Sequence, residues 1–316
     1  MHERLGPSLW LCAAVASLIL SCGEDVDEPL DMQPSQIAFV SDRAGYRQIY
    51  VMDADGDNQR PLTDPQYGED TWPAWSPDGS RIAFLSTRTG EPELFVMDAD
   101  GRNQRNISNS RGGADGPPAW SPDGTQIAQV FSPYGGAEHI RLTDPDGGDV
   151  RALGVGWTAA VGPRWTPDGS RIAFDSPRQL FDGGLSATYI IDADGQNLAL
   201  LSEGPGSDRA PVWSPDGSRV AIVPRDLEPR IVVQDADGAN RRYVTNAATG
   251  GDGSPSWSPD GRSITFVVSD RSYVNLHRRA LSLSSGADIR VVNLDDMSVR
   301  KLTSSRDFDG MPSWSP

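Results

Sequence analysis

The sequence predicts an all-β fold, a six-bladed β-propeller of four-stranded antiparallel blades closed by its own two ends. Three observations carry that prediction. First, one phrase recurs as Trp75-Ser-Pro-Asp-Gly-Ser80, Trp120-Ser-Pro-Asp-Gly-Thr125, Trp165-Thr-Pro-Asp-Gly-Ser170, Trp213-Ser-Pro-Asp-Gly-Ser218 and Trp257-Ser-Pro-Asp-Gly-Arg262, and it breaks off at Trp314-Ser-Pro316. Second, successive tryptophans of the phrase stand 45, 45, 48, 44 and 57 residues apart, a period at which four-stranded propeller blades occur. Third, each complete phrase is followed by a short apolar run such as Ile82-Ala-Phe-Leu85. The last phrase has no such run, whereas an orphan run, Ile37-Ala-Phe-Val40, stands near the other end with no phrase before it. Pairing the segment 311–314 with the strands formed by 36–63 completes a sixth unit and closes the ring.

In chain order, residues 1–21 read as an export signal. Arg4 lies in a short polar start, and the apolar stretch from Leu9 to Leu20 is too short to span a bilayer. Ile19-Leu20-Ser21-Cys22 resembles the bacterial lipobox, which makes Cys22 the expected site of lipid attachment; a plain secretory signal cut at a small residue is the alternative. Cys12 would leave with the signal, so Cys22 would remain alone and no disulfide could form within one chain. Residues 22–35, acidic and containing Pro29 and Pro34, read as a lipid-anchored tether. The propeller then occupies residues 36–316.

Within a repeat, Pro118-Ala-Trp120 reads as a short strand and Ser121-Pro-Asp-Gly124 as a tight turn. Proline pre-sets φ at the first central position of that turn, and glycine accepts positive φ at its exit. Ile127 to Val130 is the next strand. In the preceding repeat Glu93-Leu-Phe-Val-Met97 is the third strand, Asp98-Ala-Asp-Gly101 a second hairpin turn and Asn103 to Ser108 the fourth strand. Asp53-Ala-Asp-Gly-Asp-Asn58 lacks the sixth-position glycine and distant glutamate of an EF-hand, so it reads as a hairpin turn too. The phrase tryptophans Trp75, Trp120, Trp165, Trp213, Trp257 and Trp314 are expected in the core, wedged between neighbouring blades. Strand alternation puts the two strict turn series on one face of the ring and every connection of variable length on the other, where binding residues are expected. That loop-bearing face should hold Trp72, Trp157 and the longest insertion, 270–287, with His277, Arg278 and Arg279.

Composition narrows the function. A formal charge of −16, with Lys301 the only lysine, excludes a nucleic-acid backbone as partner, because a phosphate footprint needs a basic patch. The 25 prolines and 33 glycines fall mostly at fixed places in the repeat and act as turn punctuation. Beyond the signal only His139 and His277 remain, in different repeats, and no Gly-x-Ser-x-Gly elbow or phosphate-binding loop occurs, so no catalytic residue, cofactor or metal ligand is assigned. One signal exceeds the fold. An aspartate stands five residues before the phrase tryptophan in five of six repeats, as Asp70, Asp115, Asp208, Asp252 and Asp309, with Ala160 the exception. The five carboxylates are expected around one mouth of the central channel. There they could receive a divalent cation, a basic peptide or an amine, or each could cap its own loop through backbone amides.

The run Trp75-Ser-Pro-Asp-Gly-Ser-Arg-Ile-Ala-Phe84, followed by Leu94-Phe-Val-Met-Asp98, resembles the repeat of the TolB family of six-bladed propellers, and the terminal Trp314-Ser-Pro316 resembles the way that family ends its propeller. The resemblance covers residues 36–316. TolB carries an α/β domain before its propeller, in whose place this sequence has the tether. The resemblance implies a non-catalytic protein-interaction module of the cell envelope, periplasmic or associated with the outer membrane, acting as a monomer and binding an envelope protein or peptide. The alternatives are a propeller enzyme, a lyase or hydrolase with a metal at the channel mouth, and a periplasmic sensor of a small ligand.

Overall fold

The computed structural model describes residues 35–64, 68–110, 112–148, 150–153, 161–177, 186–202, 211–224, 230–246, 251–269, 286–304 and 306–316. The expected signal, Cys22 and the tether up to residue 34 lie outside these residues, as do Trp157, Asp208, His277, Arg278 and Arg279. No helix among the described residues is long and apolar enough to cross a membrane.

The first blade supplies β1 (Gln36–Ser41), β2 (Gln48–Asp53) and β3 (Arg60–Pro61). The second is β4 (Asp70–Trp75), β5 (Arg81–Ser86), β6 (Glu93–Asp98) and β7 (Arg105–Asn106). In the third, β8 (Gly113–Asp115) and β9 (Ala119–Trp120) share the inner position, followed by β10 (Ile127–Pro133), β11 (His139–Thr143) and β12 (Val150–Leu153). The fourth is β13 (Val161–Trp165), β14 (Arg171–Pro177), β15 (Ser186–Asp192) and β16 (Ala199–Ser202). The fifth is β17 (Val212–Trp213), β18 (Arg219–Ile222), β19 (Val232–Asp235) and β20 (Arg242–Tyr243). The sixth is β21 (Gly251–Trp257), β22 (Ser263–Ser269), β23 (Ala287–Asn293) and β24 (Val299–Lys301). The last strand, β25 (Asp309–Trp314), returns to the first sheet in the order β25-β1-β2-β3. Its register, Ile37 opposite Trp314 and Ser41 opposite Asp309, is the predicted closure. Antiparallel pairing throughout each sheet confirms six four-stranded blades.

Each blade buries its apolar side against a neighbour. One cluster joins Phe39, Tyr50 and Met52 of the first blade to Ile289 and Leu302 of the sixth, and another joins Ile140 and Leu142 of the third to Phe174 and Tyr189 of the fourth. The phrase tryptophans fall in two groups, with Trp165, Trp213 and Trp314 half-buried. Trp75, Trp120 and Trp257 are buried, and indoles donate across blade boundaries: Trp120 Nε1 to Ala74 O at 2.9 Å, Trp165 to Ala119 O at 3.1 Å and Trp257 to Val212 O at 2.8 Å. Arg81 and Arg219 stack over the Trp120 and Trp257 rings from the preceding blade.

The two strict turns are built by hydrogen bonds within the chain and packed against the next copy. In the first complete phrase Gly79 N donates to Ser76 O at 2.9 Å with Gly79 at φ 68°, and the Asp78 carboxylate takes Ser76 Oγ, Ser80 N and Ser80 Oγ. Gly79, Gly124, Gly169, Gly217 and Gly261 each pack on a proline of the preceding turn, and Gly79 meets Pro316, so this stack runs across the seam. In the Asp-Ala-Asp-Gly turn, Gly101 lies so close to the preceding blade that a Cβ there would stand 2.6 Å from Leu62 O. Asn58, Asn103, Asn197 and Asn240, in the left-handed region, each donate to the first aspartate of their turn.

The inner strands carry a bulge that positions the next section's residues. Between the aspartate and the tryptophan the register shifts, and the residue before a proline turns left-handed: Trp72 before Pro73, Gly162 before Pro163, Ser254 before Pro255 and Met311 before Pro312. In the third blade this place belongs to Pro117, whose ring fixes φ near −65°. The strand therefore breaks into β8 and β9.

Two outcomes follow. Trp120→Ala should lower the unfolding free energy by about 3–5 kcal/mol, measured by urea denaturation; a loss below about 1 kcal/mol would mean the indole does not hold the blades together. The turn carboxylates should also make the ring acid-labile. The seryl or threonyl hydroxyl at the start of each turn holds Asp78, Asp168 and Asp216 at about 2, and the same contact lowers Asp123 and Asp260. A lowered folded value means that the stabilisation is complete above the unfolded value near 4 and is lost as pH falls through the folded one. Melting temperature should hold at pH 5 and fall between about pH 4 and 2; a flat profile across that window would refute the assignment.

Candidate functional site

The aspartates that exceeded the needs of a simple blade repeat sit where the inner strands begin. Asp70 opens β4, Asp309 opens β25 and Asp115 ends β8. Asp252 lies in β21 opposite Val268. The carboxylates of Asp70, Asp115 and Asp309 are buried rather than displayed. A buried carboxylate needs a partner, and each of the three has one.

In the second blade the partner is Arg88, just beyond β5. Its guanidinium meets both Asp70 oxygens at 3.1 and 3.0 Å, takes Ser86 Oγ as acceptor at 2.8 Å and donates to Gln104 Oε1 at 2.8 Å. Gln104 in turn donates to Leu62 O of the first blade at 3.3 Å. The cation lies over Phe84 and Phe95, 5.7 and 4.8 Å from their ring centroids. The first blade repeats this chain of contacts: Arg43 binds Asp309, Ser41 and Gln59, stacks on Phe39 and Tyr50, and Gln59 donates to Leu302 O of the sixth blade. Asp70 and Asp309 thus each support an arginine that is a quarter exposed on the loop-bearing face and ties its blade to the one before it.

The third blade reaches the same end differently. Gln129 and Arg141 occupy the places of the aromatic pair, and Arg141 lies over the Phe131 ring beside Asp115. Asp115 accepts from Ser110 Oγ at 2.8 Å, Gln129 Nε2 at 3.2 Å and Leu94 N at 3.1 Å. Burial still pushes its carboxyl above the ordinary value, opposed by the Ser108 and Ser110 hydroxyls, the Leu94 amide and the Arg141 charge. In the fourth blade, where Ala160 breaks the aspartate series, the buried Asp175 of β14 accepts from Thr188 Oγ1 at 2.9 Å and lies close enough to the half-buried Arg164 to favour its charge.

Other expected residues are distributed as follows. Trp72 was expected on a loop; it lies within β4, at φ 55° in the bulge, half-buried against the cluster shared by the first and second blades. Its place in the strand follows from the bulge before Pro73. The loop-bearing face instead exposes two aromatics that sequence reasoning passed over, Tyr46 at 63% and Tyr134 at 66%, both between second and third strands. Arg47 is buried over Phe308 with Glu69 at 3.7 Å. The Ser-x-Arg pairs at Ser41-Asp42-Arg43 and Ser86-Thr87-Arg88, with the glutamines at 59 and 104, were a readable signal for the aspartates' partners; Ser269-Asp270-Arg271 repeats the pair in sequence, with Asp270 and Arg271 outside the described residues. Among the described residues no group of three or more His, Cys, Asp or Glu side chains could hold a metal ion.

Arg88→Met strands the buried Asp70 charge and should cost about 3 kcal/mol in urea unfolding, whereas the double variant Asp70→Asn, Arg88→Met, with both charges removed, should recover part of that loss. Equal or additive losses would show that the two side chains act independently.

The TolB beta propeller domain family matches this chain over residues 30–132, 136–275 and 187–316. No curated protein matches it. Among solved structures it is similar to TolB from Acinetobacter baumannii, at 23% identity and TM-score 0.72 over 89% of this chain and 67% of that one. The putative TolB from Agrobacterium tumefaciens is similar at 22% identity and TM-score 0.65, over 88% of this chain and 90% of that one. An oligogalacturonate lyase in complex with manganese is similar at 16% identity and TM-score 0.54, over 84% and 73%. At these identities the likeness is one of fold.

Proposed function

This chain belongs to the TolB beta propeller domain family, and from that premise we propose that it is an exported, non-catalytic interaction module of the bacterial cell envelope, binding a partner protein or peptide on its loop-bearing face. The observation that carries the reading is the difference between the two faces. On one, both turn series are locked by internal hydrogen bonds and packed on their neighbours. On the other, the connections vary in length and bear exposed aromatics, Tyr46 and Tyr134, beside the partly exposed cations Arg43 and Arg88. Aromatic and arginine side chains on a rigid scaffold are the usual anchors of a protein interface.

In this reading Trp157, His277, Arg278 and Arg279 add contacts from the longer loops, and Trp72 shapes the floor beneath them. The acidic positions Asp70, Asp115, Asp208, Asp252 and Asp309 act from below: at Asp70 and Asp309 the carboxylate fixes an arginine that the partner meets. Cys22 carries the lipid, residues 22–35 form the tether, and the protein works as a monomer in the periplasm or at the outer membrane. A lyase or hydrolase reading, with a divalent cation at the channel mouth, has support from the manganese-bound lyase of similar fold. It has to contend with carboxylates already engaged by guanidinium and hydroxyl groups.

Affinity capture from envelope extract, comparing the wild type with the double variant Tyr46→Ala, Tyr134→Ala, tests the interaction reading. The account expects the melting temperature to be unchanged and recovery of a specific partner to fall by about tenfold or more. Equal recovery of every captured protein would remove these residues from the site. A stoichiometric divalent ion in the purified protein would favour the enzyme.

A further inference from the structure

The outer rim of the ring is regular in five blades and irregular in the fourth. Opposite the third strand's middle valine or leucine, the fourth strand places an arginine: Arg60 faces Val51, Arg105 faces Val96, Arg151 faces Leu142, Arg242 faces Val233 and Arg300 faces Val291. Three of these reach forward to the Asp-x-Asp-Gly turn of the next blade. Arg105 donates to Pro145 O at 3.0 Å and to the Asp146 carboxylate, Arg151 to Ala193 O, and Arg300 to Asp55 O and Ala54 O. In the fourth blade the residue at this place, facing Ile190, is Ala199. No side chain from that strand can therefore clasp the corresponding turn of the fifth blade, Asp235-Ala-Asp-Gly238.

A second irregularity coincides with the first. Two residues beyond the arginine an apolar side chain is buried in five blades, as Leu62, Ile107, Leu153, Val244 and Leu302. In the fourth blade the register shifts so that Ser202 stands opposite Thr188 and Leu200 opposite Tyr189, which leaves Leu201 as the extra residue of a bulge. Leu201 is 46% exposed and Leu200 44%, with Leu198 exposed beside them. The other five outer strands each carry arginine, and β3 adds Pro61 and β24 adds Lys301, the devices by which proteins blunt a free strand edge. The fourth strand of this blade, Ala199-Leu-Leu-Ser202, carries no charge and no proline.

We propose that the outer edge of the fourth blade is a second docking site, separate from the loop-bearing face, which takes an extended segment of a partner protein as an added β-strand, apolar at alternate positions and carrying an arginine. The free backbone edge supplies the hydrogen bonds and the leucines supply apolar contact. The arginine of the incoming segment occupies the place that Ala199 vacates, against the backbone carbonyls and the Asp237 carboxylate of the fifth blade's turn, as Arg105 does against Pro145 and Asp146. The charge of −16 favours such a basic segment over an acidic one.

Selection of phage-displayed twelve-residue peptides on the wild-type protein, with Ala199→Arg and Leu201→Lys as parallel targets, tests the proposal. The expected outcome is enrichment of peptides alternating apolar residues with at least one arginine. A recovered peptide made synthetically should bind Ala199→Arg roughly tenfold more weakly or worse, although that variant melts no lower than wild type, and should lose binding when alternate backbone amides are N-methylated. Leu201→Lys covers the case in which Ala199→Arg fails to fold. Recovery of no peptide, equal binding to wild type and the variants, absence of arginine from the recovered set, or tolerance of N-methylation would overturn the proposal. Self-association of the wild type that Ala199→Arg abolishes would assign the edge to a second copy of the chain and overturn it as well.

Discussion

The contact between adjacent blades is the constraint on which the rest of the molecule depends. A single four-stranded blade has two faces and too little of its own core to stand alone, so each must be covered by a neighbour, and a linear row would leave two faces wet. The chain removes both with one device. Its last strand, β25, becomes the inner strand of the sheet that began at Gln36, and the turn stack passes over the seam where Gly79 meets Pro316. The indole-to-carbonyl bonds at Trp120, Trp165 and Trp257, the glutamine bridges at Gln59 and Gln104, and the forward arginines all cross the same kind of boundary. Each adds a modest net amount; repeated around a ring, they make opening any one boundary costly to the others.

This arrangement also decides where variation can be tolerated. The turn-bearing face is spent on joining blades, because its glycines and prolines touch the next copy and a Cβ at Gly101 would meet Leu62 O. Connections on the opposite face join strands whose ends are already fixed, so their length and side chains are free to serve recognition. The aspartate, arginine and glutamine chain lies between these roles. Its carboxylate and amide belong to the scaffold, while the guanidinium it holds is partly exposed toward the loops.

Much of this was legible in the residues. The tryptophan phrase, its period and the orphan run at Ile37 sufficed for blade number, turn placement and closure, because turn chemistry and strand period are local properties. The Ser-x-Arg pairs marked the aspartates' partners, but which arginine meets which aspartate was harder to read, since Asp309 and Arg43 lie at opposite ends of the chain and meet only because the ring closes. Trp72 misled for a related reason: an apolar residue before a proline and two after an aspartate looks like loop, yet the left-handed bulge keeps it in the strand. The split of the third inner strand shows the converse, since Pro117 cannot adopt the conformation that Trp72, Gly162, Ser254 and Met311 share.

The central claim is that the seam between β25 and β1 is as firm as any boundary built within one stretch of chain. Native-state hydrogen exchange read residue by residue tests it most directly. The account predicts that the amides pairing Ala38 with Ser313 and Val40 with Gly310 exchange only through global unfolding, with the same denaturant dependence as those pairing Ala83 with Ala74. Early exchange of the seam amides, independent of denaturant while the other blades stay protected, would contradict it.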